Sequence, residues 1–193
     1  MQVNILFVAF CINSTQMAQI IGKIVTKTGV EYQGQLVDGV PNGYGCLKTP
    51  AYTYTGYLKN GIRNGYGQTE SANGRTHQGY YDNDQETGLG VVKEDQITYE
   101  GELLNNKKNG KGFLTTPQLK YAGEFANDQM TGVGKLETDQ YSYEGDLKAN
   151  VFDGFGIKAK KGEEEVYEGQ FKAGKYCGDG MLRIQGKVLI GKF

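Results

Sequence analysis

One spacing recurs along most of the 193-residue chain and leaves few folds open to it. An aromatic or histidine anchor followed two positions later by glycine stands at Tyr32/Gly34, Tyr54/Gly56, His77/Gly79, Tyr99/Gly101, Tyr121/Gly123, Tyr143/Gly145 and Tyr167/Gly169. The steps between anchors are 22, 23, 22, 22, 22 and 24 residues. Eleven residues after each anchor comes a Gly-x-Gly: Gly43/Gly45, Gly65/Gly67, Gly88/Gly90, Gly110/Gly112, Gly132/Gly134, Gly154/Gly156 and Gly178/Gly180. A fixed period of this length marks an array in which one supersecondary unit stacks on the next. Leu189, Gly191 and Phe193 form a partial eighth copy, and Gly22 to Val25 reads as a worn half-unit. The array is therefore expected over residues 22–193, with residues 1–21 as a separate apolar cap or docking segment.

Each unit reads as a β-hairpin. The first strand is anchor-x-Gly-x-bulky, the second bulky residue being Leu36, Leu58, Tyr81, Leu103, Phe125, Leu147 or Phe171. Alternate strand residues share a face, so anchor, glycine and second bulky group point the same way. Asp38-Gly39, Asn60-Gly61, Asn83-Asp84, Asn105-Asn106 and Asn127-Asp128 supply residues that accept the positive φ of tight hairpin turns. In the fourth unit, Asn105 to Asn109 is expected to be the turn, carrying Lys107 and Lys108. The second strand is expected to start in the Gly-x-Gly, with both glycines on the face of its last residue, such as Leu47 or Leu114. Glycine weakens a strand, so its fixed register implies that space is needed. The anchor ring of one strand is expected to lie flat across the bare backbone of its neighbour. The fold class is all-β: an elongated, single-layer, twisted antiparallel sheet, roughly 70 Å long at about 4.8 Å per strand.

Composition fits short strands and turns. Glycine accounts for 30 residues, tyrosine for 14, and tryptophan is absent. A net charge of −1 offers no excess cation for nucleic acid or for a polybasic membrane contact. The three cysteines, Cys11, Cys46 and Cys177, have no metal-site spacing and read as unpaired thiols of a reducing compartment. Ile5 to Ile12 is apolar but far shorter than the roughly 20 residues of a membrane-spanning helix. No Lys or Arg precedes it, so neither a secretory signal nor a mitochondrial presequence is expected.

The pattern Tyr-x-Gly-x-bulky, turn, Gly-x-Gly resembles the MORN repeat (membrane occupation and recognition nexus). The stretches 54–67, "YTGYLKNGIRNGYG", and 99–112, "YEGELLNNKKNGKG", carry the likeness best. The resemblance covers all but about the first twenty residues. It implies a hairpin array used for scaffolding and docking, as in radial spoke heads, membrane junctions and accessory regions of lipid kinases. The chain departs from the family in placing Leu, Phe or Tyr where Trp is frequent, and His77 in place of an anchor Tyr.

Catalytic chemistry finds little footing. Gly110-Lys111-Gly112 leads into Phe113 and Leu114, which read as strand, and no phosphate-loop motif opens a helix. The one histidine, His77, occupies a packing position, and no nucleophile set forms around it. The chain is expected to be no enzyme and to need no cofactor or metal. Glu100, Glu102, Glu124, Glu144, Asp146 and Glu168, with Lys111 and Lys135, are expected on the face away from the rings as a solvated mixed-charge surface.

A single-layer sheet cannot bury both faces on its own. The second face also carries Tyr44, Tyr57, Tyr66, Tyr80, Leu89, Val91, Phe113, Phe155, Ile157 and Met181, aromatic and apolar groups typical of interfaces. Partner binding is assigned to Tyr44, Tyr57, Tyr66, Tyr80, Leu89, Phe113, Phe155 and Met181. The terminal strand edge and the N-terminal apolar segment are further expected contacts. The reading is a non-catalytic scaffold subunit of a larger protein assembly, intracellular, cytoplasmic or cytoskeletal. Cilium and axoneme, as in a radial spoke, are its most specific form. The alternatives are a phosphoinositide or membrane-surface adaptor and the regulatory subunit of an enzyme complex. No nucleic acid is expected as partner.

Overall fold

The computed structural model describes residues 4–8 and 20–193. Every regular element among them is a strand, and each strand pairs antiparallel with its sequence neighbour inside two compact units, 1–95 and 96–193.

The first unit holds β1 (Asn4–Val8), β2 (Ile20–Val25), β3 (Glu31–Val37), β4 (Val40–Lys48), β5 (Tyr52–Lys59), β6 (Ile62–Ser71), β7 (Thr76–Asp82) and β8 (Gln85–Glu94). The pairing runs in chain order, from β1 with β2 to β7 with β8. Of the apolar segment Ile5 to Ile12, residues 5–8 lie in β1; residues 9–12, Cys11 among them, lie outside the described residues. The second unit holds β9 (Ile97–Leu104), β10 (Lys107–Thr115), β11 (Leu119–Ala126), β12 (Gln129–Thr138), β13 (Tyr141–Lys148), β14 (Val151–Lys160), β15 (Glu165–Lys172), β16 (Lys175–Ile184) and β17 (Lys187–Lys192). It too pairs in chain order.

The hairpin turns are two residues long. Asp38 and Gly39 have φ of 49° and 78°, and Asn105 and Asn106 have 51° and 64°, the left-handed pair that matches strand twist. The expected turn Asn105 to Asn109 is thus corrected: Lys107 and Lys108 already belong to β10, paired with Leu104 and Leu103. A two-residue turn lets pairing resume at once, so each second strand begins three residues before its Gly-x-Gly rather than inside it.

The residues saved in the turn reappear as a bulge. In β10 the register moves from Lys108 opposite Leu103 to Gly112 opposite Gly101, leaving two residues of β10 in excess. Gly110 takes φ 73° there, and a Cβ built on it would meet the Glu102 carboxylate 2.6 Å away, not the Tyr99 ring. The expectation that both glycines of the Gly-x-Gly serve the ring is therefore corrected. The second makes space for it, and the first makes the left-handed bulge. Gly43, Gly65, Gly88, Gly132, Gly154 and Gly178 repeat that first role, all at positive φ.

The core is one face of each sheet. Every anchor and every second bulky residue is at most 5% exposed, and at all of these positions except His77 the buried group is hydrophobic. In the first unit Tyr32, Leu36, Tyr54, Leu58 and Tyr81 form one cluster, extended by Ile24, Leu47 and Tyr52.

Candidate functional site

The buried face explains the repeat. Gly56 of β5 faces Gly67 of β6, and the Tyr54 ring lies over the pair, so that a Cβ on Gly67 would stand 2.5 Å from the ring's Cζ. The ring leans along its own strand until its hydroxyl donates to the backbone carbonyl three residues on. Tyr32 donates to Gln35 at 2.8 Å, Tyr54 to Tyr57 at 2.8 Å, Tyr99 to Glu102 at 2.6 Å and Tyr143 to Asp146 at 2.7 Å. That carbonyl lies where the bulge disrupts the ladder, so the phenol replaces a lost backbone partner. Burial pushes the Tyr32, Tyr99 and Tyr143 hydroxyls up to about 12. Edge-to-face contacts then tie repeats together: Tyr54 to Tyr81 at 5.2 Å, Tyr99 to Phe125 at 5.2 Å and Tyr143 to Phe171 at 5.2 Å.

Each anchor tyrosine ring lies across the bare backbone of the neighbouring strand, as expected, and covers the glycine of its own strand as well. In every hairpin the anchor-strand glycine faces the second glycine of the Gly-x-Gly, and in the six tyrosine-anchored hairpins the ring covers both. The other facing pairs are Gly34 with Gly45, Gly79 with Gly90, Gly101 with Gly112, Gly123 with Gly134, Gly145 with Gly156 and Gly169 with Gly180. The cause is the lean of the ring along its own strand, which carries the hydroxyl past the nearer glycine. A Cβ on Gly34 would stand 2.5 Å from the Tyr32 hydroxyl, and one on Gly45 2.6 Å from its Cζ. On Gly169 or on Gly180 it would stand 2.6 Å from the Tyr167 hydroxyl. Gly145 and Gly156 meet the Tyr143 hydroxyl at 2.8 and 2.5 Å, and Gly123 and Gly134 each meet the Tyr121 Cζ at 2.6 Å. In the third hairpin a Cβ on Gly79 would meet His77 Nε2 and the Gly90 Cα, both at 2.8 Å. The same register pairs glycines of adjoining hairpins, such as Gly45 with Gly56 and Gly134 with Gly145, so one row of bare backbone crosses the strands of each unit.

Three structural roles went unread in the sequence. In three hairpins, the residue nine positions after the anchor, second in the returning strand, packs on or beside the anchor ring. Phe152 stacks on Tyr143 and Tyr176 on Tyr167, both at 3.8 Å, while the Lys108 ammonium lies 5.7 Å from the Tyr99 centroid. The constant offset was there to be seen, but the chemistry at it varies too much to form a motif. Secondly, the last turn residue latches onto the preceding hairpin. Asp128 accepts the Lys108 amide at 2.9 Å and donates its own to the Lys108 carbonyl at 3.0 Å. Asp84 does the same with Arg63. Thirdly, part of the carboxylate face is structural: Glu102 accepts the Lys111 amide at 3.0 Å and Asp146 the Phe155 amide at 2.8 Å, each capping a bulge. The expected mixed-charge surface does exist at the exposed Lys135–Glu144 pair, 3.4 Å apart.

The third hairpin of the array departs from the others. His77 replaces the anchor tyrosine and is fully buried, and neither ring nitrogen has a hydrogen-bond partner. Its Nδ1 lies 3.9 Å from a carboxylate oxygen of Glu86, which occupies the ring-flanking position and is gripped by both Arg75 guanidinium nitrogens at 2.6 Å. Thr69 and Tyr81 share a hydrogen bond beside it. Desolvation holds the His77 imidazole below its ordinary value, with Arg75 and Arg63 adding to the effect against the Glu86 charge. This assembly fills the core.

The opposite face is where side chains are offered. Tyr44, Tyr57, Tyr66 and Tyr80 are each between 45% and 51% exposed. They stand on β4 to β7 as two directly opposed pairs, Tyr44 with Tyr57 and Tyr66 with Tyr80, each pair edge-to-face at 5.4 Å. Leu89 follows on β8, more exposed still. In the second unit Phe113, Phe155 and Ile157 are exposed on the corresponding face, and Met181 is half-buried. Cys46 and Cys177 are free thiols, Cys46 lying in the register row next to Tyr44 and Tyr57.

The MORN repeat model matches residues 32–52, 54–74, 99–118, 121–138, 143–159 and 167–183, more than half of the chain. No curated protein sequence matches it. The hairpin carrying His77 lies between two matched stretches, although β7 and β8 keep the turn, the bulge and the paired glycines of the rest. Period, turn, bulge and ring-over-glycine packing agree with that match, and the chain belongs to the MORN repeat family, whose repeats serve in protein and membrane interaction.

Proposed function

We propose that the protein is a non-catalytic scaffold that docks a protein partner on the exposed tyrosine face of its first unit. The observation that carries this reading is the division of labour between the faces. One is closed by the anchor rings, while the other presents four half-exposed tyrosines in two ordered pairs. Aromatic groups held on rigid strands lose little entropy on binding and are favoured interface anchors. The non-catalytic part of the reading is supported by the one imidazole lying inside the core, away from any surface a substrate could reach. An intracellular, cytoskeletal setting, and within it a cilium or axoneme, is the finer form of the proposal and rests on likeness to other members of the family.

The test is co-purification of the tagged chain from ciliated cells, compared with a variant carrying Tyr44→Ser, Tyr57→Ser, Tyr66→Ser and Tyr80→Ser. Loss of one set of proteins with an unchanged strand signal in circular dichroism is expected. Recovery of the same set by the variant would remove this face from the account. Salt-sensitive sedimentation of the chain with anionic vesicles would instead favour the membrane-adaptor reading.

A further inference from the structure

Resting on that docking reading, we infer that the occupant of the tyrosine face is a proline-rich segment in the polyproline II conformation, lying across the strands. Two features of the face select it. The first is pitch. The pairs Tyr44–Tyr57 and Tyr66–Tyr80 sit on successive pairs of strands, so equivalent points recur every two strand spacings, about 9.6 Å. A polyproline II helix rises about 3.1 Å per residue with three residues per turn, so it repeats every 9.3 Å or so. Successive turns of such a helix meet successive tyrosine pairs in the same way, and proline rings pack between aromatic ridges. An extended β-segment has a two-residue period of about 6.6 Å and falls out of step after one pair.

The second feature is charge. On β3 to β7 the register row to one side of the tyrosines runs Gln33, Cys46, Thr55, Gln68 and Gln78, with no carboxylate or amine before Lys23 continues it on β2. Tyr66 already accepts from Gln78 Nε2 at 3.0 Å, which shows that these amides reach the ring tips. The equivalent row in the second unit carries Glu100, Lys135, Glu144 and Glu168. Charge returns in the first unit one row further out, at Lys48, Glu70 and Lys93, and on the other side of the tyrosines at Lys59 and Asp82, so the neutral strip is the row on one side. A neutral strip of hydroxyls and amides complements a ligand that is itself uncharged and has unpaired backbone carbonyls. A polyproline II chain has both properties, since it makes no internal hydrogen bonds. From β4 to β8 the strip spans about 19 Å, which a ligand of about six residues covers.

The experiment is fluorescence anisotropy of labelled decaproline against the full chain, with a labelled ten-residue Gly-Ser peptide as comparison. Saturable binding of decaproline, insensitive to added salt, is expected, with none for the Gly-Ser peptide. Tyr57→Ser with Tyr66→Ser should weaken binding at least about tenfold, as expected of aromatic interface anchors. Thr55→Glu with Gln68→Glu leaves every ring in place and should weaken it too, by putting two charges under a neutral ligand. Absence of saturation, equal affinity of either double variant, or equal binding of the Gly-Ser peptide overturns the inference. Partners that require the four tyrosines while decaproline fails to bind would leave the docking face standing and remove the polyproline ligand alone.

Discussion

A glycine that makes room differs from a glycine that makes a turn, and substitution separates them. At Gly67 an added methyl would collide with the Tyr54 ring, and that ring is fixed by its bond to the Tyr57 carbonyl. At Gly61, with φ 83° and nothing within 4 Å, the cost is backbone strain alone. Gly67→Ala is expected to cost about 2–3 kcal/mol by overpacking, and Gly61→Ala about 1 kcal/mol by left-handed strain, both read from urea denaturation. Equal costs would contradict the ring-over-glycine account. His77 gives a second residue-scale outcome. Its folded pKa lies below the ordinary 6.5, so the unfolded chain takes up the proton first. Stability from this group is complete above pH 6.5 and is lost as the pH falls through the lower, folded value. Glu86, Arg75 and Arg63 are the charged groups that act on it. His77→Tyr should flatten the acid limb of a thermal-midpoint profile below pH 6.5; an unchanged limb would assign it to other groups. The replacement of tyrosine by histidine was legible in the sequence. Its buried contact with Glu86 was not, because nine residues and a bulge separate the two.

Among the hairpins, the elements differ most at their turns. Ala149 and Ala173 occupy the first turn position with φ of 50°, where the earlier hairpins use Asp or Asn. Alanine gains nothing in that conformation, whereas asparagine tolerates it and bonds locally. Ala149→Asn with Ala173→Asn is expected to stabilise the second unit by about 1 kcal/mol in total, seen as a raised urea midpoint with unchanged slope. A lowered midpoint would mean that these turns hold their shape for another reason. Hairpin identity and strand partners were readable from period and alternation, and Asx-Gly content marked where each turn opens but not that it closes after two residues. The two-residue bulge was not readable. Alternation assumes a regular ladder, and the bulge shows only through the left-handed φ of glycines that also look like ring spacers. Glu102 and Asp146 were misread for the same reason: on a regular strand they face water, and on a bulged one they cap it. The facing of Gly34 with Gly45, and of its counterparts, likewise needed the register, because the bulge sets which residues meet.

For the molecule as a whole, the same repeated chemistry sets the stability. The anchor tyrosines are buried neutral, and burial lifts Tyr32, Tyr99 and Tyr143 from the ordinary 10.0 to about 12. Their raised folded values mean that stability is intact below pH 10 and is lost as the pH climbs through about 12. Loss of the strand signal together with a late phenolate absorbance step in that window is expected; late titration without loss of structure would contradict it. Which face is closed and which is exposed was legible from the alternation of Tyr54 with Tyr57. The pairing of exposed tyrosines across β4–β5 and β6–β7 needed the register. Oxidative footprinting of the chain in its native complex, against the free chain, tests the central claim most directly. Protection of Tyr44, Tyr57, Tyr66 and Tyr80, with the buried anchors unreactive in both states, is the expected result. Protection confined to the hairpin turns or to the second unit, with those four tyrosines labelled equally in both states, would contradict it.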